Sequence, residues 1–408
     1  MSNELSPATA NRGWIVTFAG LGTNLALGVL YAWSMFKDAI SKELGWHGDQ
    51  LNDPYALCCL VFAGAMILAG RCQDKIGPRL TATIGGLLIG AGLILISQSK
   101  SYGLWLLGFG VLGGLGMGFG YSSATPPALK WLPPAKTGLI AGLVVAGFGL
   151  APVYLAPLSK YLVDNFQLQK SMLFLGIGFL VAIVSLSQLL VNPPAGYVAA
   201  TAPGTATKPL VGGSSPSEIL RTPIFWVLWL CYFIGSGAGL MVIGSISGMA
   251  KKSMGTQAFI AVAVMAIGNA GGRVIAGLLS DRIGRQKTLM LVLLVQAVLM
   301  FIAIPITAST DAKLSIVLVA ALIGANYGAN LSLFPSFTKD LWGIRNFGLN
   351  YGVLFSAWGV GGLILPRVQQ MLTANSGGSF QSSFITAGTL LVVGAVLTLF
   401  IKPKTTEA

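Results

Sequence analysis

The chain has 408 residues, of which 54% are hydrophobic and only 9% are charged. An ordinary soluble domain carries about 25% charged residues, so a soluble protein of this size is excluded and lipid must cover much of the surface. The net charge of +13 is compatible with nucleic-acid binding. The basic residues lie in short loops between apolar runs, however, which favours the positive-inside pattern of a membrane protein, and no nucleic-acid partner is expected.

Twelve apolar stretches are long enough to span a bilayer, which takes about 20 residues each. They lie near 13–36, 51–70, 79–97, 103–127, 137–159, 171–191, 223–247, 257–280, 287–307, 314–337, 346–371 and 380–401. Residues 192–221 are rich in Pro, Gly, Ser, Thr and Ala and predict a flexible linker. The chain therefore divides into an N-terminal bundle of six helices (1–191), this linker, and a C-terminal bundle of six helices (222–408).

The loops predict the orientation of the chain. Lys and Arg divide as 15 on the side that holds both termini and 9 on the other side. Because basic loops stay in the cytoplasm, both termini are expected there, in a multi-pass protein of the inner cell membrane.

One polar turn occurs twice, at equivalent helix junctions of the two halves. Its aspartates, Asp74 in 70–79 and Asp281 in 277–287, are 207 residues apart, which indicates an internal repeat. The two turns, the twelve spans and the central linker together resemble the major facilitator superfamily. The resemblance implies an all-α integral membrane fold of two pseudo-symmetric six-helix bundles around a cavity that opens alternately to each side.

The same resemblance implies a gating role for the charged residues of this turn. They are Asp74, Arg79, Asp281 and Arg285. In the family, each Asp accepts hydrogen bonds from neighbouring basic groups when the cytoplasmic side is closed. The alternative is that these charges merely anchor a short cytoplasmic loop.

One charged residue, Arg273, lies deep inside a predicted span, whereas the others lie in loops or near helix ends. It precedes Asp281 by eight residues, or about 12 Å of helix rise, which places it near the midplane of the bilayer. A central Arg costs about 3 kcal/mol to insert and is retained where it faces a polar cavity or a partner. No carboxylate of the chain is placed to neutralise it, so an anionic substrate is the simplest partner, and a guanidinium matches a carboxylate. The alternative is an Arg satisfied by carbonyl and hydroxyl groups of other helices.

Uncharged residues in the spans are further candidates to line a substrate cavity. Asn269 lies one turn before Arg273 on the same face, where it holds the Arg, binds the substrate or packs helices. Tyrosine hydroxyls bond carboxylates while their rings enclose a small ligand. The other candidates are Tyr31, Tyr121, Tyr327, Ser356 and Trp358, with Phe355 as an aromatic residue whose commoner role is packing.

Four segments in both halves resemble monocarboxylate transporters and oxalate:formate antiporters. They are 130–133, 221–226, 269–273 and 345–348. In that branch the Arg of the eighth helix clasps the substrate carboxylate, which implies this role for Arg273. The resemblance also places Tyr31, Tyr121, Tyr327, Leu331 and Phe355 at cavity positions.

The chain departs from the oxalate-type members in two ways. Trp358 stands where those members carry a second cavity cation, a Lys. One cation suits one carboxylate, whereas a dianion such as oxalate leaves a buried charge uncompensated. Leu30 and Leu331 also make the pocket more apolar, which suits a methyl-bearing substrate. Animal monocarboxylate transporters carry an Asp where this chain has Asn269, and a proton-linked Lys on the first helix that has no equivalent here.

The sequence therefore predicts a transporter and not an enzyme: a proton symporter of a short monocarboxylate, L-lactate or pyruvate, that acts as a monomer. No metal-ligand spacing or nucleotide loop is present, so neither a metal nor a cofactor is expected. Asp38 is the candidate proton carrier, with an ordinary helix-end charge as the alternative. An anion antiporter of the oxalate:formate type is the second candidate function.

Overall fold

The computed structural model describes residues 7–194, 196, 197, 199, 213–243 and 245–401. These residues form helices and no strand. Helices satisfy every backbone N–H and C=O group within one segment, as the hydrocarbon of a bilayer requires. Half of the predicted linker, including 200–212, and the chain ends at 1–6 and 402–408 lie outside the described residues.

Twelve long apolar helices form the body of the described chain. They are α1 (Pro7–Leu27), α2 (Asp53–Ile76), α3 (Pro78–Ser97), α4 (Gly114–Trp131), α5 (137–166), α6 (168–187), α7 (Pro223–Ile243), α8 (Phe259–Ile283), α9 (Arg285–Ala308), α10 (Lys313–Trp342), α11 (Phe347–Asn375) and α12 (Gln381–Leu397). Each overlaps one predicted span, which confirms the prediction of an all-helical fold with twelve spanning helices.

Shorter helical segments connect or extend these helices. They are Gly28–Ala32, Trp33–Leu44, Gly48–Leu51, Tyr102–Trp105, Leu106–Gly113, Pro134–Lys136, Pro216–Leu220, Ile246–Met254, Gly255–Ala258 and Thr398–Phe400. The segment Leu106–Gly113 is a π-helix that leads directly into α4.

The turn between α5 and α6 is a single residue. The helical run Thr137–Ser187 is interrupted only at Gln167, whose φ of 65° is the one positive value at a non-glycine among the described residues. The carboxylate of Glu43 accepts hydrogen bonds from the backbone N–H of Leu168 at 3.1 Å through both of its oxygens. An anion at the start of a helix satisfies free N–H groups and the helix dipole, so Glu43 stabilises the beginning of α6.

The first span ends differently from the prediction. The α-helix stops at Leu27, a 3-10 segment follows at Gly28–Ala32, and the helix Trp33–Leu44 then continues past the predicted end at 36. A Cβ atom on Gly28 would lie 2.7 Å from the carbonyl oxygen of Phe148 and would collide with the methyl group of Ala151. Glycine thus allows close packing on α5 at the point where the helix tightens, and Tyr31 lies in this tightened segment.

The two halves contact each other through α2 against α11 and α5 against α8. Both contacts bring backbones together at glycines. A Cβ atom on Gly142 of α5 would collide with the carbonyl oxygen of Arg273, and one on Gly70 of α2 would collide with that of Gly348. Small residues permit such close approach between membrane helices, and here the approach sets the position of the backbone that carries Arg273.

The outward faces of the helices expose large apolar side chains. Examples are Leu68, Ile275, Val298, Leu318 and Val396. A continuous apolar exterior on helices of spanning length is the surface that lipid covers. The chain is a multi-span membrane protein.

Candidate functional site: a buried arginine between the two halves

Arg273 lies in the middle of α8 and is completely buried. Its Nε donates a hydrogen bond to Oδ1 of Asn269 at 3.0 Å, and its Nη1 donates one to the carbonyl oxygen of Val145 on α5. Its Nη2 has no hydrogen-bond partner. Asn269 therefore orients the guanidinium from one turn away, as the helical spacing predicts, and one charged N–H₂ group is left for another acceptor.

Glycine on α5 makes room for this guanidinium. A Cβ atom on Gly149 would lie 3.1 Å from Nε of Arg273 and 3.1 Å from Oδ1 of Asn269. The contacts of Arg273 with Val145 and Gly149 escaped prediction from the sequence. The repetition of glycine at 142 and 149, two turns apart on one face of α5, is the signal that would have located them.

A small cavity, here called the Arg273 cavity, has an empty volume of about 180 Å³. Its lining consists of Tyr31, Phe62, Tyr121, Phe148, Arg273, Leu331, Phe355 and Trp358. Six of these were candidates from the sequence. The structure adds Phe62 and Phe148, which stack on each other with ring centroids 5.9 Å apart.

Aromatic rings enclose the cavity on several sides. Tyr121 packs edge-on against Phe148 at 5.5 Å and against Phe62 at 5.7 Å, and Phe355 stacks on Trp358 at 5.1 Å. Such walls lower the local dielectric, and an ionic hydrogen bond is stronger there than in water. An acceptor that reaches Nη2 of Arg273 is therefore bound in an apolar enclosure that excludes bulk water.

Tyr327 lies behind the cavity wall in a chain of hydrogen bonds. Its hydroxyl is 2.7 Å from that of Tyr31 and accepts a hydrogen bond from Nε1 of Trp358 at 2.9 Å. The chain joins the first-span segment to α10 and α11, so it crosses between the two halves. Trp358 thus both lines the cavity and holds Tyr327 in place.

A second cavity, of about 460 Å³, lies beside the first, on the side away from the turn that contains Asp281. Its lining consists of Tyr31, Gly149, Pro152, Ile243, Val262, Met265, Ala266 and Asn269. Tyr31 contributes to both cavities, and Asn269 connects the second cavity to Arg273 through its side-chain hydrogen bond. Tyr31 therefore borders both cavities.

Three predicted site residues lie elsewhere. Ser356 donates to the carbonyl oxygen of Val353 and accepts from Nε1 of Trp229 at 2.9 Å. Successive residues of a helix are about 100° apart around its axis, so Ser356 lies on a different face of α11 from Phe355. Leu30 is buried but lines neither cavity. Asp38 is exposed on the helix Trp33–Leu44 and does not contact Arg273.

The side chain next to Asp38 is Lys37, whose Nζ donates to Oδ1 of Asn52 at 2.6 Å. Burial of this ammonium lowers the pKa of Lys37. The pair joins the helix Trp33–Leu44 to the start of α2 and lies outside both cavities, so nothing in its contacts connects it to the buried arginine.

The two repeated turns form matching contacts across the halves. The carboxylate of Asp74, at the end of α2, accepts hydrogen bonds from the backbone N–H groups of Gly348 and Leu349, at 3.0 and 2.9 Å. These N–H groups begin α11, where the helix dipole favours an anion. We call this contact the Asp74 clasp.

At the end of α8, Asp281 of the C-terminal half forms the corresponding contact with the N-terminal half. Its carboxylate accepts from the backbone N–H groups of Gly138 and Leu139 of α5, at 2.8 and 2.9 Å. Nη1 of Arg285 adds an ion pair at 2.6 Å, and Nε of Arg285 pairs with Asp340 at 2.9 Å. With this Asp281 clasp, both halves are held together on the face that carries the two turns, here called the gate face.

The expectation of basic partners for both aspartates is corrected at the first clasp. Arg285 bonds Asp281 as the resemblance implies, but within the described residues Asp74 forms no ion pair and Arg79 is exposed. Asp74 is held instead by the two N–H groups at the start of α11.

A second buried cation, Lys339, was missed because the tenth span was predicted to end at 337. The helix α10 continues to Trp342, and Lys339 is buried. Its Nζ donates to the carbonyl oxygen of Leu129 at 3.1 Å and to Oγ1 of Thr137 at 2.9 Å. Lys339 therefore adds a further contact between the halves near the gate face.

The sequence profile of the Major Facilitator Superfamily matches residues 14–366, which is most of the chain. The chain belongs to the major facilitator superfamily.

Several relatives of this chain are named as transporters. An oxalate:formate antiporter of Oxalobacter formigenes is 27% identical over 97% of this chain and 92% of its own length. The uncharacterized MFS-type transporter YhjX of Escherichia coli (strain K12) is 29% identical over 86% of both chains. Apicoplast pyruvate carrier 1 of Toxoplasma gondii is 25% identical over 76% of this chain and 67% of its own length. These relatives of the major facilitator chain are transporters, not enzymes.

Solved structures match the fold of this major facilitator protein. The transporter FucP in the outward conformation superposes with a TM-score of 0.71 over 95% of this chain and 99% of its own, at 15% identity. The proton:xylose symporter XylE superposes with a TM-score of 0.71 over 96% of both chains, at 14% identity. These likenesses establish the arrangement of twelve helices in the major facilitator fold.

Proposed function

We propose that this major facilitator protein is a secondary active transporter of short monocarboxylates, most specifically L-lactate or pyruvate, by proton symport with alternating access. The observation that carries the proposal is the buried guanidinium of Arg273 between the halves: its Nη2 has no hydrogen-bond partner, and the residue lines an aromatic cavity. A carboxylate is the small acceptor that a guanidinium binds best, and the name of the Toxoplasma gondii pyruvate carrier agrees with this class.

The charge of the cavity favours a monoanion. Arg273 is the one charged side chain in its lining, and the resemblance to oxalate-type antiporters implies that Trp358 stands where those members carry a second cation. A dianion would keep one charge uncompensated in a low-dielectric enclosure. The remaining lining of Leu331, Phe62 and Phe148 suits a methyl group better than a second carboxylate.

In the proposed mechanism the two six-helix halves, 1–191 and 222–408, move as units around Arg273. Substrate binding neutralises the guanidinium, so the loaded cavity crosses the membrane without an exposed charge. The Asp74 and Asp281 clasps hold the gate face closed in the present conformation and must separate before the substrate leaves on that side. The excess of basic residues in the loops on that side supports a cytoplasmic gate face.

Coupling to a proton follows from the membrane potential. Import of a lone anion against an interior-negative potential costs about 2.3 kcal/mol per 100 mV, and a co-transported proton cancels this cost. Among the described residues no carboxylate is fully buried, and the buried charges are those of Arg273 and Lys339. The proton is therefore assigned to the substrate or to an acid near the surface, for which Asp38 is the candidate.

We expect radiolabelled L-lactate uptake by cells that express the protein to be faster at an external pH of about 5.5 than at about 8, and to collapse with an uncoupler. Cells carrying the empty vector set the background. Uptake that ignores both the pH gradient and the uncoupler would contradict proton symport.

Exchange is the second candidate, because a relative over 97% of this chain is an oxalate:formate antiporter. Exchange requires substrate on the opposite side. Preloading the cells with unlabelled carboxylate then accelerates uptake severalfold, and unloaded cells take up little at any pH. This result would replace symport by antiport and leave the proposed role of Arg273 in place.

We expect Trp358→Lys to reverse the preference of the cavity. The new cation gives a dianion a second partner, so oxalate competes with labelled lactate, while lactate affinity falls by about tenfold because a charge is left unpaired. Competition curves in proteoliposomes measure both effects. Trp358→Phe, which removes the hydrogen bond to Tyr327 without adding charge, is the control, and oxalate competition in that variant would refute the charge argument.

A further inference from the structure

Three tyrosine hydroxyls converge beside the Arg273 cavity. They belong to Tyr121 on α4, Tyr232 on α7 and Tyr351 on α11, with side chains 3%, 0% and 2% exposed. The hydroxyl of Tyr351 lies within hydrogen-bonding reach of those of Tyr121 and Tyr232, and none of the three hydroxyls bonds a protein group outside the cluster. The cluster draws on both halves of the protein.

Phe355 packs against all three tyrosines of this cluster. The centroid of its ring lies 5.6 Å from that of Tyr121, 6.0 Å from that of Tyr232 and 5.8 Å from that of Tyr351. Phe355 and Tyr121 also line the Arg273 cavity. Tyr351 lies one turn before Phe355 on α11, toward the gate face, so the cluster adjoins the cavity on that side.

Further unpartnered polar groups continue from the cluster toward the gate face. Oγ1 of Thr125, one turn beyond Tyr121 on α4, has no hydrogen-bond partner, and neither does either polar atom of the Gln73 amide on α2. Gln73 is buried beside Gly348 at the Asp74 clasp. The orphan groups therefore mark a line from the cavity to the clasp.

Buried polar groups without partners are rare because each loses its hydrogen bonds to water. If water or a polar ligand enters this line of polar groups once the clasps open, the groups gain hydrogen-bond partners there. Such entry would explain why they lack partners in the closed conformation. A tyrosine hydroxyl is a neutral donor suited to a carboxylate oxygen. It binds an anion more weakly than a guanidinium does.

We propose that the hydroxyls of Tyr121, Tyr232 and Tyr351 form a second carboxylate-binding station, which receives the monocarboxylate from Arg273 on its way to the gate face. The proposal rests on the proposed transport function. Tyr121 contacts both sites and guides the transfer, and Phe355 moves aside to let the carboxylate pass. Release to the gate face then starts from three neutral donors and not from a buried cation.

The test compares the two faces of the membrane. Tyr232→Phe and Tyr351→Phe each remove one hydroxyl and keep the ring. For labelled L-lactate and pyruvate presented from the gate face, in vesicles of sorted orientation, we expect the apparent KM of each variant to rise by about tenfold. For the same substrates presented from the opposite face we expect a change of less than about twofold, because Arg273 is unaltered.

Protein stability separates binding from structure. A hydroxyl whose neighbours are only the other two hydroxyls of the cluster contributes little to folding, so its removal should leave the melting temperature nearly unchanged, whereas removal of a hydroxyl bonded to the backbone lowers it. Tyr161→Phe is the matched control, since Tyr161 is 59% exposed on α5, and it should alter neither KM nor melting temperature.

The outcomes that overturn the proposal are distinct. Equal changes of KM on both faces, or no change on either, would remove the second station and leave the proposed function intact. Variants that do not fold would assign the hydroxyls to structure and overturn the station as well. A wild-type protein that transports neither lactate nor pyruvate would overturn the proposed function, and the station with it.

Discussion

Replacement of Arg273 by Ala is expected to reduce monocarboxylate uptake by at least about 100-fold, because loss of a buried charged partner costs about 3 kcal/mol or more. The cavity would keep its aromatic walls and lose the one cation in its lining. Initial rates of labelled lactate uptake in proteoliposomes, normalised to the amount of reconstituted protein, measure the effect.

Arg273→Lys is expected to fail nearly as completely. The ammonium keeps the charge, but it cannot donate at once to Asn269, to the Val145 carbonyl and to a substrate with the planar geometry of a guanidinium. Arg367→Lys, on an exposed residue of α11, is the matched control and should transport normally. Wild-type rates in Arg273→Ala would show that the carboxylate is bound elsewhere.

The second large effect concerns the gate face. Asp281→Ala removes the acceptor of two backbone N–H groups and the ion-pair partner of Arg285. Hydrogen bonds to a charged group contribute about 1.5–3 kcal/mol, so loss of the clasp shifts the balance between closed and open gate faces by roughly 100-fold. We expect the protein to spend most of its time open to the gate face and net transport to fall sharply.

Cysteine labelling measures this shift. In a background without the four native cysteines, Thr125→Cys reports access from the gate face to a membrane-impermeant thiol reagent. Labelling should be fast with Asp281→Ala and intermediate with Asp74→Ala, because the Asp74 clasp has no ion pair. Asp164→Ala, an exposed residue paired with Lys160, is the control. Equal labelling in all variants would show that the clasps do not hold the gate.

Hydropathy and loop chemistry were sufficient to predict the fold, since each spanning helix is an apolar run of the required length. Arg273 was equally visible, because a lone charge deep in an apolar run is unusual and functionally informative. Its first partner, Asn269, followed from helical periodicity alone. These are all properties of one helix at a time.

Contacts between helices were less predictable. Phe62 and Phe148 face the cavity, but aromatic residues on helices that are apolar all round carry no signal of the face they present. Ser356 was assigned to the wrong face for the same reason. The partners of Asp74 are backbone N–H groups. Because nearly every residue has one, the residue types in the sequence do not indicate which of them bind Asp74. Lys339 was missed because the predicted apolar span ends at 337, five residues before α10 ends at Trp342.

The bond between Arg273 and the Val145 carbonyl affects how tightly a substrate is held. An incoming carboxylate can accept a hydrogen bond from Nη2 without displacing a protein group. Bidentate binding requires that Nη1 first break its hydrogen bond to the Val145 carbonyl. The protein thus supplies an internal competitor for half of the guanidinium, on the helix opposite α8. We expect binding to be weaker and dissociation faster than a fully available arginine would give, and rapid unloading favours a high turnover number in a carrier that must empty itself in every cycle.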